Sequence, residues 1–366
     1  MKTFPLQSIS VEEAKNKQFK LVDLICQEFK GSESLNLGDL GVVQPGNKPL
    51  TTKKVEKVIA RFFESSSCIL VTGAGTGALR FGILSMFSSQ DSILVHKAPI
   101  YPTTKITIES LNLNIIEADF NSIDDIKEKL NNNDIKGVLI QTTRQKPDDE
   151  YDLGEIIRTI KELSDCPIIT DDNYAAMKIS KIGVELGANL STFSSFKLLG
   201  PEGVGIIVGD YDYINKIEKM NYSGGSKVQG WQAMEVLRGL VYAPVSLAIQ
   251  AEENNRLLEK LNNKEINHVK NAFLANSQSK VLLVEFDMPI AREVLREAEL
   301  LGAAPNPVGA ESKYEMVPMF YRVSGTFIES DPTLQERMIR INPMRSGNET
   351  IMRILKESIE KVTSCF

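Results

Sequence analysis

Short apolar runs alternate with stretches of helical spacing through much of the chain. Cys68-Ile-Leu-Val71, Ser92-Ile-Leu-Val-His96, Asn114-Ile-Ile-Glu117, Gly137-Val-Leu-Ile140, Pro167-Ile-Ile-Thr170, Leu190-Ser-Thr-Phe193 and Gly205-Ile-Ile-Val208 each predict a strand. Several are apolar throughout, the pattern of strands covered on both faces. The expected core is therefore an α/β, mostly parallel seven-stranded sheet flanked by helices. Such sheets hold ligands beyond the carboxyl ends of their strands, which directs attention to the residues just after each run.

The flanking segments carry helix signals. Ser10-Val-Glu-Glu-Ala offers an N-cap with a capping glutamate and opens an amphipathic helix to about Glu28. A loop rich in Gly, Asn and Pro follows from Gly31 to Pro49, and Thr51 or Thr52 is expected to start the next helix, through Phe63. After Tyr213 come a helix over 214–220, the loop Ser223-Gly-Gly-Ser226, and a long helix, in pieces, from Trp231 toward Leu261. Strand patterns at 280–286, 321–323 and 338–341, with helices over 290–301 and 349–362, predict a smaller α+β domain. The expected organisation is an N-terminal helix and arm (1–50), a large cofactor-binding domain (51–235) and a small C-terminal domain (236–366).

Charged residues make up 25% and apolar residues 42% of the 366, a globular composition. The net charge of −6 argues against a nucleic-acid surface, which needs clustered excess Lys and Arg. No run approaches the roughly eighteen apolar residues of a membrane span. Cys26, Cys68, Cys166 and Cys365 lack C-x-x-C spacing, so neither a metal site nor a disulfide framework is expected, and a cytoplasmic setting fits. Only His96 and His268 are present, which removes most His-dependent mechanisms; strand-end packing and solvent exposure are their expected roles.

Chemistry concentrates after the strands. Lys197 follows the hydroxyl-rich end Ser191-Thr-Phe-Ser-Ser195, and a lysine in an apolar pocket gives up its proton more readily, which lets it condense with an aldehyde cofactor. Ser194 and Ser195 lie beside it for a phosphate. Gly73-Ala-Gly-Thr-Gly-Ala78 opens a helix, where amides and the Thr76 hydroxyl suit a phosphate. The same turn fits a dinucleotide fingerprint, but the next strand ends in His96-Lys97 and not in the acid that would hold a ribose. Asp171 and Asp172 end a strand, where one carboxylate can pair with a protonated pyridine nitrogen and Tyr174 can reach a phenolic ring oxygen; capping the following segment is the competing role.

Together these motifs resemble the fold type I pyridoxal phosphate enzymes of the aspartate aminotransferase superfamily. Ala74-Gly75-Thr76-Gly-Ala-Leu79 is similar to its phosphate-cup turn, Asp171-x-x-Tyr174 to its strand-end pair, and Ser194-x-x-Lys197 to its phosphate serine and Schiff-base lysine. The resemblance covers roughly residues 45–345 and implies pyridoxal 5'-phosphate as cofactor. It also implies that Tyr101 stacks on the cofactor ring, although core packing would serve that position equally. Gln145 stands where relatives bind the ring oxygen with an asparagine, in a turn from which this chain departs, and Arg144 is an alternative anion ligand there. Arg340 resembles the arginine that grips a substrate carboxylate, with Arg345 as competitor. Ser223-Gly-Gly-Ser-Lys227 resembles a loop that reaches the partner's phosphate, which implies a homodimer with a shared active site.

The implied reaction is aminotransferase-like chemistry on an amino acid or related amine, with Lys197 as base. The alternative is a lyase or side-chain-replacing transferase of the cystathionine-lyase or selenocysteine synthase-like branches. A non-catalytic sensor ranks below both, since no helix-turn-helix extension is evident.

Overall fold

The computed structural model describes residues 3–41, 47–277, 279–309, 311–323 and 331–364. Cys365 lies outside the described residues, as does part of the Gly31–Pro49 loop. Two compact units account for the chain: Lys15–Gln145 with Asp149–Pro244, and Met1–Ala14 with Lys146–Asp148 and Val245–Phe366.

In the first unit all seven expected strands form: β1 (Ser67–Thr72), β2 (Ser92–His96), β3 (Asn114–Ala118), β4 (Gly137–Gln141), β5 (Ile168–Asp171), β6 (Leu190–Ser194) and β7 (Val204–Gly209). They form one sheet in the order β1-β7-β6-β5-β4-β2-β3. β7 runs antiparallel to β1 and β6, and the remaining pairs are parallel. The period-two alternation of the strands sends Ile69, Val71, Ile93 and Ile207 to one face, against Leu79 and Ile83 of helix α3 (Ala74–Met86) and Ile214 and Ile217 of the helix over 211–220. Leu94, Val138, Ile140 and Ile168 pack on the other face with Ile156, Ile157 and Ile160 of the helix over 153–163. Burial on both faces explains why the runs read as uninterrupted hydrophobes.

Helix α1 (Val11–Glu28) starts where its capping box places it: the Ser10 amide donates to Glu13 Oε2 at 2.8 Å and the Glu13 amide to Ser10 Oγ at 3.2 Å. Helix α2 (Leu50–Phe62) begins one residue before the expected threonines. Its cap comes from a distant residue, since the Leu50 and Thr51 amides donate to the Asp39 carboxylate at 2.8 and 3.0 Å. The long helix over Gly230–Asn262 is continuous through Pro244 rather than broken into pieces, and the chain passes between the two units at Pro244/Val245.

The second unit carries an antiparallel sheet in the order β10-β11-β9-β8. Strand β8 (Val269–Ser277) was not legible in the sequence. A register shift between Val269 and Asn271 breaks its alternation, and its asparagines lower its strand propensity. β9 (Ser279–Phe286), β10 (Met319–Arg322) and β11 (Met338–Asn342) pack with the helices over 291–300 and 348–363 around Leu282, Val284, Ile339, Ile341, Ile354 and Leu355.

Candidate active site

Strand alternation at the end of β5 separates the two aspartates. The Asp172 carboxylate is fully buried and occupied: Thr142 Oγ1 donates at 2.6 Å, Thr170 Oγ1 at 2.5 Å, and the Gly183 amide at 3.4 Å. Asp171 instead lines a pocket beyond the ends of β2, β4 and β5, with Leu79, His96, Gln141, Gln145 and Tyr151. Desolvation raises the Asp171 carboxyl above its ordinary range, against the hydrogen bonds of Asn173 and the nearby charge of Lys197. Both Asn173 bonds fall on Oδ1, from the main-chain amide at 3.0 Å and from Nδ2 at 2.7 Å.

Lys197 sits in a short 3-10 turn, Phe196–Leu198, directly after β6. Its Nζ lies 3.8 Å from the centroid of the Tyr174 ring, so the expected lysine and tyrosine are in direct contact. Tyr174 reaches that position with a φ of 63°, a left-handed conformation uncommon for a bulky residue. Of the two serines, Ser195 holds the turn, its Oγ donating to Pro201 and Val204 carbonyls at 3.0 and 2.8 Å. Ser194 is buried, and its amide donates to Asn173 Oδ1 at 3.0 Å.

The start of α3 is tied to the turn after Lys197. Gly73, at φ 95°, and Ala74 both donate their amides to the Gly203 carbonyl, at 2.8 and 3.1 Å. Among the described residues the first-turn amides of Gly75 and Thr76 have no hydrogen-bond partner outside the helix, as at any helix N-terminus. Thr76 Oγ1 lies 3.3 Å from Thr103 Oγ1.

Other expected residues are placed less directly. Tyr101 is 40% exposed at the start of the helix over 102–110; its neighbours Ala98, Pro99 and Ile100 line the pocket. Gln145 donates to the Gln141 side chain, and Arg144 donates to the Tyr151 carbonyl at 2.6 Å. His96 is buried and structural: its Nδ1 accepts the Phe120 amide at 3.0 Å, so its Nε2 carries the proton toward Asp149, also at 3.0 Å. In the second unit, Arg340 donates through Nε to the Arg322 carbonyl at 3.0 Å and lies over the Tyr321 ring at 4.2 Å. Arg345 donates to Gln250 Oε1 at 3.1 Å, and burial pulls its guanidinium below its usual value against the charges of Glu311 and Glu315.

The donor set of the first unit fits pyridoxal phosphate. Asp171 is a desolvated carboxylate with Oδ2 outside its hydrogen bonds to Asn173, suited to a cationic ring nitrogen. Lys197 supplies an amine for the aldehyde, and the open amides at the start of α3 suit a phosphate. Sequence reading missed Asn173, Gln141 and Tyr151; Asn173 stood inside the Asp-Asp-Asn-Tyr run, where the acids and the aromatic carried the familiar chemistry.

Comparison with known proteins places these residues in context. The family model described as Cys/Met metabolism PLP-dependent enzyme matches residues 46–285, and one described as YhfS-like, C-terminal domain, matches 255–355. The chain is 53% identical to the protein YhfS of Escherichia coli K12 over 362 residues, 99% of this chain and 100% of that one. The crystal structure of the pyridoxal-5'-phosphate-dependent YhfS from E. coli superposes with a TM-score of 0.97, covering 99% of this chain and 100% of that one. A putative cystathionine beta-lyase of Listeria monocytogenes shares the fold at 16% identity and a TM-score of 0.71, covering 96% and 95%. Cystathionine gamma synthase of Xanthomonas oryzae pv. oryzae shares it at 14% and 0.68, covering 86% and 87%.

Proposed function

Because the chain belongs to the Cys/Met metabolism family of PLP-dependent enzymes, we propose that it catalyses elimination or replacement at the β- or γ-carbon of an amino-acid substrate. Its cofactor is pyridoxal 5'-phosphate. The observation that carries the reading is the family match over residues 46–285, which contains Gly75, Asp171, Tyr174, Ser194 and Lys197. Fold neighbours named as cystathionine lyases and synthases support it, and favour it over the aminotransferase chemistry that the sequence first suggested.

Bound pyridoxal phosphate supplies an electron sink for negative charge at the substrate α-carbon. The protein supplies the rest. Asp171 would hold a positive charge on the ring nitrogen, and Asp172 supports the strand end without lining the pocket. The start of α3 and Ser194 would hold the phosphate. For loss at the β-carbon, Lys197 Nζ would take the α-proton and return it to the departing group; loss at the γ-carbon also requires removal of a β-proton, which the same amine would carry after giving up the first. The Tyr174 ring fixes where that amine sits.

Substrate screening with the purified holoenzyme tests this. Formation of an α-keto acid and ammonia from one amino acid alone, or exchange of its side chain with an added thiol, is the expected result. Formation of a new amino acid only when a second keto acid is supplied would return the enzyme to transamination.

A further inference from the structure

Asn173 touches the ends of β5 and β6 and the first turn of α3. Its amide and Nδ2 both donate to Asp171 Oδ1 at the end of β5. Its Oδ1 accepts the amide of Ser194 at the end of β6, which fixes the orientation of the side-chain amide, because a carboxylate must face the NH2 and an N–H must face the oxygen. Its main-chain carbonyl accepts Thr143 Oγ1 at 3.4 Å. Gly75, in the first turn of α3, lies against the same side chain: a Cβ there would stand 2.5 Å from Asn173 Oδ1 and 2.7 Å from Nδ2. A side chain at this position would therefore displace the Asn173 amide from its hydrogen bonds.

We propose that Asn173 is a positioning residue that couples the ring-nitrogen carboxylate to the phosphate cradle. With two N–H donors on Oδ1, the Asp171 carboxylate cannot rotate freely, and Oδ2 is the oxygen turned to the cofactor. By accepting from Ser194 and packing on Gly75, the same side chain sets the spacing between that oxygen and the phosphate-binding turn. The cofactor is then gripped at both ends by one rigid unit. This inference rests on the cofactor reading above and adds a residue to it.

Three variants test it: Asn173→Ala, Gly75→Ala and the double substitution. The readouts are the affinity of the full-length apo chain for pyridoxal phosphate, the pH midpoint of the visible band of the bound cofactor, and thermal unfolding of the apo chain. Losing one side-chain donor to a charged group weakens binding about ten-fold in Asn173→Ala. The pH midpoint moves upward, because Asp171 holds the ring-nitrogen proton less firmly and a ring with less positive charge leaves the nitrogen that joins it to Lys197 more basic, while apo unfolding stays near wild type. Gly75→Ala alone weakens binding by pushing the Asn173 amide aside, and adds little in the Asn173→Ala background. Wild-type affinity and midpoint in Asn173→Ala, or full additivity in the double variant, overturns the coupling. If Asn173→Ala and a milder Asn173→Ser both lose their apo fold, the role is structural and the proposal is wrong. A wild type that gains no visible band overturns the cofactor reading itself, an outcome distinct from the others.

Discussion

Two adjacent carboxylates show how much a single step along a strand decides. Asp171 and Asp172 are chemically identical, and the sequence left open which of them meets the ring nitrogen. Asp172 is surrounded by Thr142, Thr170 and Gly183, whereas Asp171 borders the pocket and feels Lys197. Removing Asp172 as Asp172→Ala takes the acceptor from the buried Thr142 hydroxyl and the Gly183 amide and is expected to cost about 3 kcal/mol in urea unfolding. Asp171→Asn should leave unfolding nearly unchanged and weaken cofactor binding by about thirty-fold or more, since it removes one side of a desolvated charge pair. Burial raises the Asp172 carboxyl above its unfolded value. Folding therefore binds a proton in the window between the two values, and stability falls as pH rises through that window. Asp172→Asn should flatten this falling limb, and a pH series of unfolding curves checks it. At this scale the lysine, tyrosine and strand-end acids were legible because their chemistry is rare in that order. Asn173 was not, because an asparagine after two aspartates reads as turn chemistry until its four contacts are seen.

At the scale of elements, the strands of the large sheet were legible to within a residue or two because most are short apolar runs buried on both faces, β3 at the sheet edge being the exposed exception. Helix α1 was equally legible, since Ser10 and Glu13 form a cap from neighbouring residues. The start of helix α2 was read one residue late because its cap is tertiary. Asp39 lies eleven residues before Leu50, and no local pattern announces that its carboxylate will return to the helix start. Desolvation pushes the Asp39 carboxyl up, but the Thr51 hydroxyl and the Thr51 and Leu50 amides outweigh it, so its value lies below the ordinary 3.8. A depressed carboxyl contributes stability that is present above the unfolded value and lost as pH falls through the folded one. Asp39→Ala should cost about 1 kcal/mol near neutral pH, as loss of an N-cap does, and the deficit should shrink in acid. Thermal unfolding of both proteins at neutral and acidic pH measures it. Strand β8 escaped notice for the complementary reason: its bulge breaks the alternation that a strand needs to be recognised.

At the scale of the whole molecule, the family assignment spans most of the unit with the seven-stranded sheet and part of the smaller one, and the E. coli relative matches almost the entire chain. The motifs that made the family legible all lie at the carboxyl edge of one sheet, so parallel order brings together residues up to 123 positions apart, from Ala74 to Lys197. The reaction branch was less legible, because elimination, replacement and transamination share these groups and part only at contacts to the substrate side chain. Everything proposed here depends on Lys197 being the residue that joins the cofactor. The direct measurement is the visible absorption spectrum of the purified protein with pyridoxal phosphate, taken beside that of Lys197→Ala. Wild type should gain a visible band that shifts on addition of a substrate amino acid, and Lys197→Ala should show only the spectrum of the free aldehyde. The same band in both proteins, or in neither, would contradict the assignment of Lys197.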